Sequence, residues 1–322
     1  MSKMPGVTAI GVIGNGMIGD SMTVLTTGHG YRTVSVVRDM AKVPAYKAKF
    51  DEYYKQMIDH GLLTEETFHI CEKYLTYTDD YADLADCEVI FECVTENLDL
   101  KHEIYGKIEV SCPNVKAICS VSSSYLPDKL GEKMTKYADR VVVTHPFNPA
   151  HMVPYFEICT GDKTAPGLAE WVKEFLTTLD RKPAILKKPN PGFIGNYLQF
   201  ALWAAALKLV EDGVCDPKDI DTCLNYSFCP RYTSIGIFDH FDNGGYRLNI
   251  TTCDSVFPIL PRWDGAPDII REKAESPDAW GARSETKRGF YDWNGVDMAA
   301  YAERVNAPYW RFCAWDFPTS FS

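Results

Sequence analysis

One six-residue stretch constrains this chain more than any other. Gly14-Asn15-Gly16-Met17-Ile18-Gly19 is a GxGxxG placed directly after the apolar run AIGVI and directly before a helical segment. In that context each glycine has its own duty. The first makes a tight turn, the second leaves room for a pyrophosphate, and the third lets helix and strand pack closely. The helix start then offers amides and the positive end of its dipole to phosphate groups. Gly14, Gly16, Met17, Ile18 and Gly19 are therefore the expected dinucleotide-binding loop.

The rest of the first 190 residues fits such a start. Strand-like runs at 8–13, 33–37, 87–94, 117–121, 141–145, 155–159 and 183–186 alternate with helical stretches around 17–28, 41–60, 64–75, 97–110 and 165–180. Strand–helix–strand alternation implies a mostly parallel sheet covered on both faces. Near Lys188-Pro189-Asn190-Pro191-Gly192 the character changes. Residues 193–213 read as one long, nearly all-apolar helix, of a composition that fits burial between domains or subunits. Helical candidates follow at 217–226, 266–275 and 297–315, with no strand run. The expected fold is α/β: an N-terminal Rossmann domain with a doubly wound, mostly parallel sheet over 1–189, and an all-α C-terminal domain over 190–322.

Composition closes off several function classes. The chain has 322 residues, with 33 Lys+Arg against 44 Asp+Glu, a formal charge of −11. No basic stripe stands ready to displace counterions, so nucleic acid is not expected as a partner. A membrane partner is not expected either, because no run reaches the roughly 18 apolar residues of a spanning helix. The first residues enter a strand pattern without a separate apolar leader, and the eleven scattered cysteines contain no CxxC pair. Reduced thiols in a cytoplasmic protein, and no metal site, are the resulting expectations.

The second strand's end speaks to the cofactor. An NAD-binding fold usually places Asp or Glu there, roughly 20 residues past the loop, to bond the ribose 2′-hydroxyl. That position falls on Val37, followed by Arg38 and Asp39, with Lys42 one helical turn on. An uncharged residue followed by arginine suits a 2′-phosphate, which Arg can bind in a fork while Lys adds charge. The cofactor is thus NAD(P), with NADP(H) favoured over NAD(H). The alternative is that Arg38 stacks on adenine, or that Asp39 takes the acid's place.

Four further segments fall at the carboxyl ends of expected strands: Ser120-Val121-Ser122-Ser123-Ser124, His145-Pro146-Phe147-Asn148-Pro149, Glu157, and Pro191-Gly192-Phe193-Ile194-Gly195-Asn196. With these motifs in this order the chain resembles the 3-hydroxyacyl-CoA dehydrogenase superfamily. The resemblance runs from the first strand to residue 245 and resumes in Lys287-Arg288-Gly289-Phe290-Tyr291-Asp292-Trp293. It implies that His145, opening HxxNP, is the catalytic histidine and Glu157, twelve residues on, its partner. It also implies that Ser123, or Ser124 with a one-residue gap, is the catalytic serine, and that Asn196 is the asparagine of PGFxxN. Glu96 and Lys101 match the family's pair near the nicotinamide ribose. The family's dimers form through its helical C-terminal domain, so a homodimer is implied here too.

The chemistry agrees with that assignment. Oxidising a secondary alcohol requires removal of the hydroxyl proton as hydride leaves carbon, and imidazole does this reversibly near neutral pH. A carboxylate on the other ring nitrogen fixes the tautomer, and Ser and Asn donors hold the substrate oxygen while its charge changes. His151, six residues after His145, has no motif position and is read as a surface or pocket-lining residue.

Several positions resemble the free-acid branch, that of L-gulonate 3-dehydrogenase (lambda-crystallin) and L-carnitine dehydrogenase. They are the HP that opens the histidine motif, Pro154, Leu126-Pro127-Asp128-Lys129-Leu130, and Arg231-Tyr232. Arg231 could hold a free carboxylate in a bidentate fork, and with Ser124 and Asn148 it makes up the candidate substrate-binding set. Cys229-Pro230, Ile237, Tyr197 and Val37 depart from the branch. The expected reaction interconverts a small 3-hydroxy acid, or polyol acid, and its 3-keto form. A 3-hydroxyacyl-CoA dehydrogenase using Lys49 and Lys55 for CoA phosphates is the alternative. A non-catalytic nucleotide-binding protein is the second alternative.

Overall fold

Five consecutive buried residues, Ala9–Ile13, form strand β1 of an eight-stranded sheet in the computed structural model of the chain. The structure describes residues 3–244, 246–262, 265–275, 282 and 284–321. The other strands are β2 (Arg32–Val36), β3 (Leu75–Thr78), β4 (Val89–Glu92), β5 (Ala117–Ser120), β6 (Val141–Pro146), β7 (Tyr155–Cys159) and β8 (Lys182–Ile185). Their order is β3-β2-β1-β4-β5-β6-β7-β8. Neighbours run parallel except β6 and β7, which are antiparallel. The chain steps from β1 outward to β2 on one side and later to β4 on the other. Such a reversal opens a ligand crevice at the strands' carboxyl ends, where the glycine turn lies.

Helices α1 (Met17–Gly28), α2 (Val43–Asp59), α3 (Glu65–Cys71), α4 (Leu98–Ser111), α5 (Pro127–Leu130) and α6 (Leu168–Thr178) connect the strands. Alternation along each strand splits the core into two clusters. Ile10, Val12, Val89, Phe91, Val142, Phe156 and Ile158 join one cluster with residues of α1, α2 and α6. Ala9, Ile13, Ile90, Ile118, Val141, Val143 and Cys159 join the other with α4 and α5. Glu92, Ser120, His145 and Glu157 follow by the same parity on the α4 side. The strand β3 was not anticipated. Its LTYT sequence sits at the sheet's edge, half-buried, and lacks an apolar run.

The chain divides into two units, Met1–Ile194 with Ala302–Ser322, and Gly195–Tyr301. The second contains α7 (Gly195–Glu211), α8 (Pro217–Tyr226), α9 (Ile237–Gly244), α10 (Tyr246–Val256) and α11 (Asp268–Glu275). Apart from an isolated bridge between Arg288 and Asp292, its described residues form no strand. On α7, Tyr197, Leu198, Phe200, Leu202 and Trp203 are all exposed within this chain.

The expected 190–322 unit differs in its final stretch. Helix α12 (Met298–Asn306) gives way to a 3-10 turn over Ala307–Phe312, and the tail packs on the first unit. Trp310, Cys313 and Trp315 are buried in the α1-side core. Trp315 lies against Gly28 so closely that a Cβ there would meet the indole at 2.7 Å. No helix among the described residues is long and apolar enough to cross a membrane.

Candidate active site

The turn after β1 is built by steric exclusion at two glycines and by open space at the third. Gly14 has φ +102°, and a Cβ on it would lie 2.8 Å from the Cys93 carbonyl oxygen. A Cβ on Gly19 would lie 1.7 Å from the Gly14 carbonyl oxygen. Gly16 has no atom within 4 Å of its Cβ position and is the N-cap of α1 without a side-chain cap. The first-turn amides thus have no side-chain cap, beside exposed Met17 and half-buried Ile18. That cradle fits a pyrophosphate. Asn15 Nδ2 donates to Ser35 Oγ at 2.7 Å and fastens the turn to β2.

Beyond β2, Val37 is buried and donates its N–H to the Thr78 carbonyl, while Arg38 and Lys42 are exposed. Asp39 accepts from the Ala41 amide at 3.0 Å, capping the next turn.

His145 and Glu157 stand opposite each other in the β6–β7 register. Nδ1 of His145 lies 2.9 Å from Oε2 of Glu157. Glu157 is fully buried, and its second oxygen accepts the Ile194 amide at 2.7 Å and lies 3.4 Å from the Tyr155 hydroxyl. A carboxylate so placed accepts a hydrogen bond from Nδ1–H, keeping the proton on that nitrogen and leaving Nε2 with its lone pair. The ring is flanked by Phe147 and Phe193, at 5.7 and 5.3 Å between centroids, and its side chain is 10% exposed. Gly192 and Phe193 both have positive φ, 76° and 51°, which turns the chain so that Phe193 is buried and Ile194 offers its amide.

Glu96 organises the serine-rich turn after β5. It accepts from Ser122 Oγ at 2.9 Å and from the Ser123 amide at 2.7 Å, with Ser123 Oγ 3.4 Å away. Ser122 Oγ in turn accepts the amides of Ser124 and Tyr125. Ser123 and Ser124 are exposed. Lys101 is fully buried, so its ammonium faces protein on all sides. It bonds Glu92 at 2.8 and 3.0 Å and lies 3.6 Å from Glu96. Glu92 also accepts from Ser120 Oγ, Tyr105 Oη and the Val94 amide. This buried network was missed in the sequence, although a carboxylate ending the apolar run VIFE on a strand was its signal.

Asn148 is exposed, with Nδ2 3.2 Å from Met17 Sδ. His151 corrects its expected place at a surface or pocket: it is fully buried, hydrogen-bonded to Ser21 and packed on Tyr53. Burial, aided by the charges of Arg181 and Lys49, lowers its pKa to about 3. Two site candidates belong to the second unit: Asn196 is half-buried in the first turn of α7, and Arg231 is exposed in a 3-10 turn with Nη1 3.3 Å from His240 Nε2. Lys49 and Lys55 are paired with Glu52 and Asp59 on their own helix. Among the described residues no group of three His, Cys, Asp or Glu could hold a metal ion.

Comparison with known proteins identifies the family of the chain. The family model "3-hydroxyacyl-CoA dehydrogenase, NAD binding domain" matches residues 9–188, and "3-hydroxyacyl-CoA dehydrogenase, C-terminal domain" matches 192–293. An L-carnitine dehydrogenase of Mesorhizobium japonicum is 35% identical over 65% of this chain, a match spanning 56% of that relative. One from Pseudomonas putida is 31% identical over 73% of each chain. In fold, the chain superposes on 5-formyl-3-hydroxy-2-methylpyridine 4-carboxylic acid 5-dehydrogenase with a TM-score of 0.83, covering 95% of this chain and 97% of that one at 23% identity.

Proposed function

The chain belongs to the 3-hydroxyacyl-CoA dehydrogenase family, dehydrogenases with an NAD-binding domain, and on that premise we propose that it interconverts a small 3-hydroxy acid, or polyol acid, and its 3-keto form. The observation that carries this reading is the His145–Glu157 pair. A barely exposed imidazole has one nitrogen tied to a buried carboxylate and the other free to handle a proton. A nicotinamide cofactor, when bound, supplies the hydride chemistry.

In this reading His145 takes the hydroxyl proton during oxidation and returns it during reduction. Glu157 holds the ring's tautomer and balances the imidazolium charge. Ser123 and Asn196 donate to the substrate oxygen, and Ser124 and Asn148 line the substrate. Lys101 is a positioning residue: sealed against Glu92, it steadies Glu96, which shapes the Ser122–Ser123 turn beside the nicotinamide ribose. The first unit binds the cofactor and the second selects the substrate. Arg231 is assigned to a free carboxylate, in line with relatives named L-carnitine dehydrogenase.

Support for NADP(H) over NAD(H) comes from buried Val37 beside exposed Arg38 and Lys42, with Asp39 engaged as a cap. The apolar exposure of α7 supports a homodimer through the second unit. Eleven free cysteines support a reducing, cytoplasmic setting. The pairing of Lys49 and Lys55 within their own helix gives CoA phosphates little to bind.

Absorbance at 340 nm with a panel of 3-hydroxy acids, polyol acids and 3-hydroxyacyl-CoA esters, under NAD+ and NADP+, tests the proposal. Wild type should turn over a free acid fastest, His145→Gln should abolish it, and Arg231→Ala should raise that acid's KM. Arg38→Ala should weaken NADPH and spare NADH. Faster turnover of thioesters would transfer the assignment to the acyl-CoA reaction, and turnover surviving in His145→Gln would end the general-base role.

A further inference from the structure

The buried histidine beyond His145 ties the general base's loop to the dinucleotide helix. Ser21 on α1 and His151 are both fully buried. The Ser21 hydroxyl lies 2.6 Å from His151 Nδ1 and accepts the His151 backbone N–H at 2.8 Å. No other acceptor among the described residues meets that hydroxyl, so its proton goes to Nδ1 and the imidazole proton sits on Nε2. Nε2 makes no hydrogen bond among the described residues. An unpaired buried donor is unfavourable, so the ring's polarity is used on the Ser21 side alone.

The same face of α1 meets the loop a second time. Met17 and Ser21 are one turn apart, and Asn148 Nδ2 lies 3.2 Å from Met17 Sδ. From behind, Arg181 Nη1 donates to the carbonyls of Ala150, His151 and Val153 at 3.1, 3.2 and 3.4 Å. Tyr53 closes the pocket with its ring centroid 4.6 Å from that of His151. The helix so gripped starts at the glycine turn, and the loop so gripped starts at the end of β6, which carries His145.

We propose that Ser21 and His151 are positioning residues that fix the separation between the glycine turn and the His145 imidazole. The proposal rests on the reading of His145 as general base.

Three variants test it: Ser21→Ala, His151→Phe, which keeps the ring's packing, and Ser21→Thr, which keeps the hydroxyl. With Ser21→Ala and His151→Phe, kcat should fall about tenfold, because small misplacements of reacting groups are expensive. The dissociation constants of NADH and NADPH, titrated by nicotinamide fluorescence, should change less than about twofold, since only the reacting geometry is disturbed. The double variant should be no slower than its worse parent, and Ser21→Thr should recover most of the loss. On the cofactor-free protein, imidazole 15N resonances should show His151 as the neutral Nε2–H tautomer, and those of His145 should move in Ser21→Ala. Unmoved His145 resonances with kcat preserved would overturn the proposal. So would a loss in Ser21→Ala that Ser21→Thr fails to relieve and that tracks a lower melting temperature. A wild-type protein that turns over no hydroxy acid would instead refute the general-base reading, and the resonance measurement would still judge the clamp.

Discussion

His145 and Glu157 are directly opposed residues of the antiparallel β6–β7 pair, joined through Nδ1 and Oε2 at 2.9 Å. Strand register therefore sets the geometry of the pair. A slip of one residue would send either side chain to the opposite face of the sheet. Because Glu157 also accepts the Ile194 amide, the Pro191–Ile194 segment is held to the same carboxylate.

Glu157→Gln tests that double use. An amide can face its oxygen to Nδ1–H or to the Ile194 N–H, but its NH2 group can accept from neither. We expect kcat to fall about 100-fold, within the range for impaired general acid–base catalysis, with cofactor affinity retained. Steady-state kinetics beside a fluorescence titration gives both numbers, and a kcat within threefold of wild type would contradict the role.

The glycine turn makes two contrasting predictions. Gly19→Ala would push a methyl group into the Gly14 carbonyl, so both melting temperature and cofactor affinity should drop. Gly16→Ala places its methyl in open space, so the melting temperature of the cofactor-free protein should hold while affinity falls about tenfold or more, the methyl taking phosphate room. Equal affinity for wild type and Gly16→Ala would mean the phosphates lie elsewhere.

Lys101→Met strands the buried Glu92 carboxylate. Breaking one side of a buried pair costs about 3–5 kcal/mol, whereas replacing both partners by apolar groups is often near neutral. Chemical denaturation should therefore show a large loss for Lys101→Met that Glu92→Gln/Lys101→Met recovers in part, since the charge is gone while the Gln oxygen still accepts from Ser120, Tyr105 or the Val94 amide. Recovery of stability without recovery of kcat would separate the packing role from the ordering of Glu96.

Acid stability should depend on His151. Its folded-state pKa is lowered from 6.5 to about 3, first by burial and then by the charges of Arg181 and Lys49. The unfolded chain binds a proton at this residue below pH 6.5 that the native state refuses, so stability falls as pH drops from 6.5 toward 3. One such group contributes a slope of up to about 1.4 kcal/mol per pH unit. Urea midpoints at pH 7 and pH 4.5 should lie closer together in His151→Phe than in wild type. His29, also lowered by burial, leaves the variant with residual acid sensitivity. An unchanged gap would show that His151 already titrates normally in the native state.

Much of this molecule was legible in its residues. The glycine spacing and the strand–helix alternation gave the parallel sheet, and the α1 and β7 boundaries are those expected, Met17–Gly28 and Tyr155–Cys159. Strand β3 escaped because four edge residues carry no apolar pattern. The antiparallel direction of β7 escaped because alternation reports which face a residue takes, not which way its strand runs. Long-range partners were hidden for a related reason. Nothing local marks Glu92 as the partner of Lys101 or Ser21 as that of His151, since these pairs meet only once helices have docked on the sheet.

The indole of Trp315 against Gly28, and that of Trp310 in the same core, carry a consequence for biosynthesis. A ribosome delivers the helix bearing Gly28 nearly three hundred residues before the ring that covers it. Domains otherwise tend to fold in the order they emerge. Here the nucleotide-binding unit must wait, with an aromatic-sized groove open to solvent, until the whole helical insert has been translated. A chain that ended before Trp310 would lack both indoles and leave that groove uncovered for good.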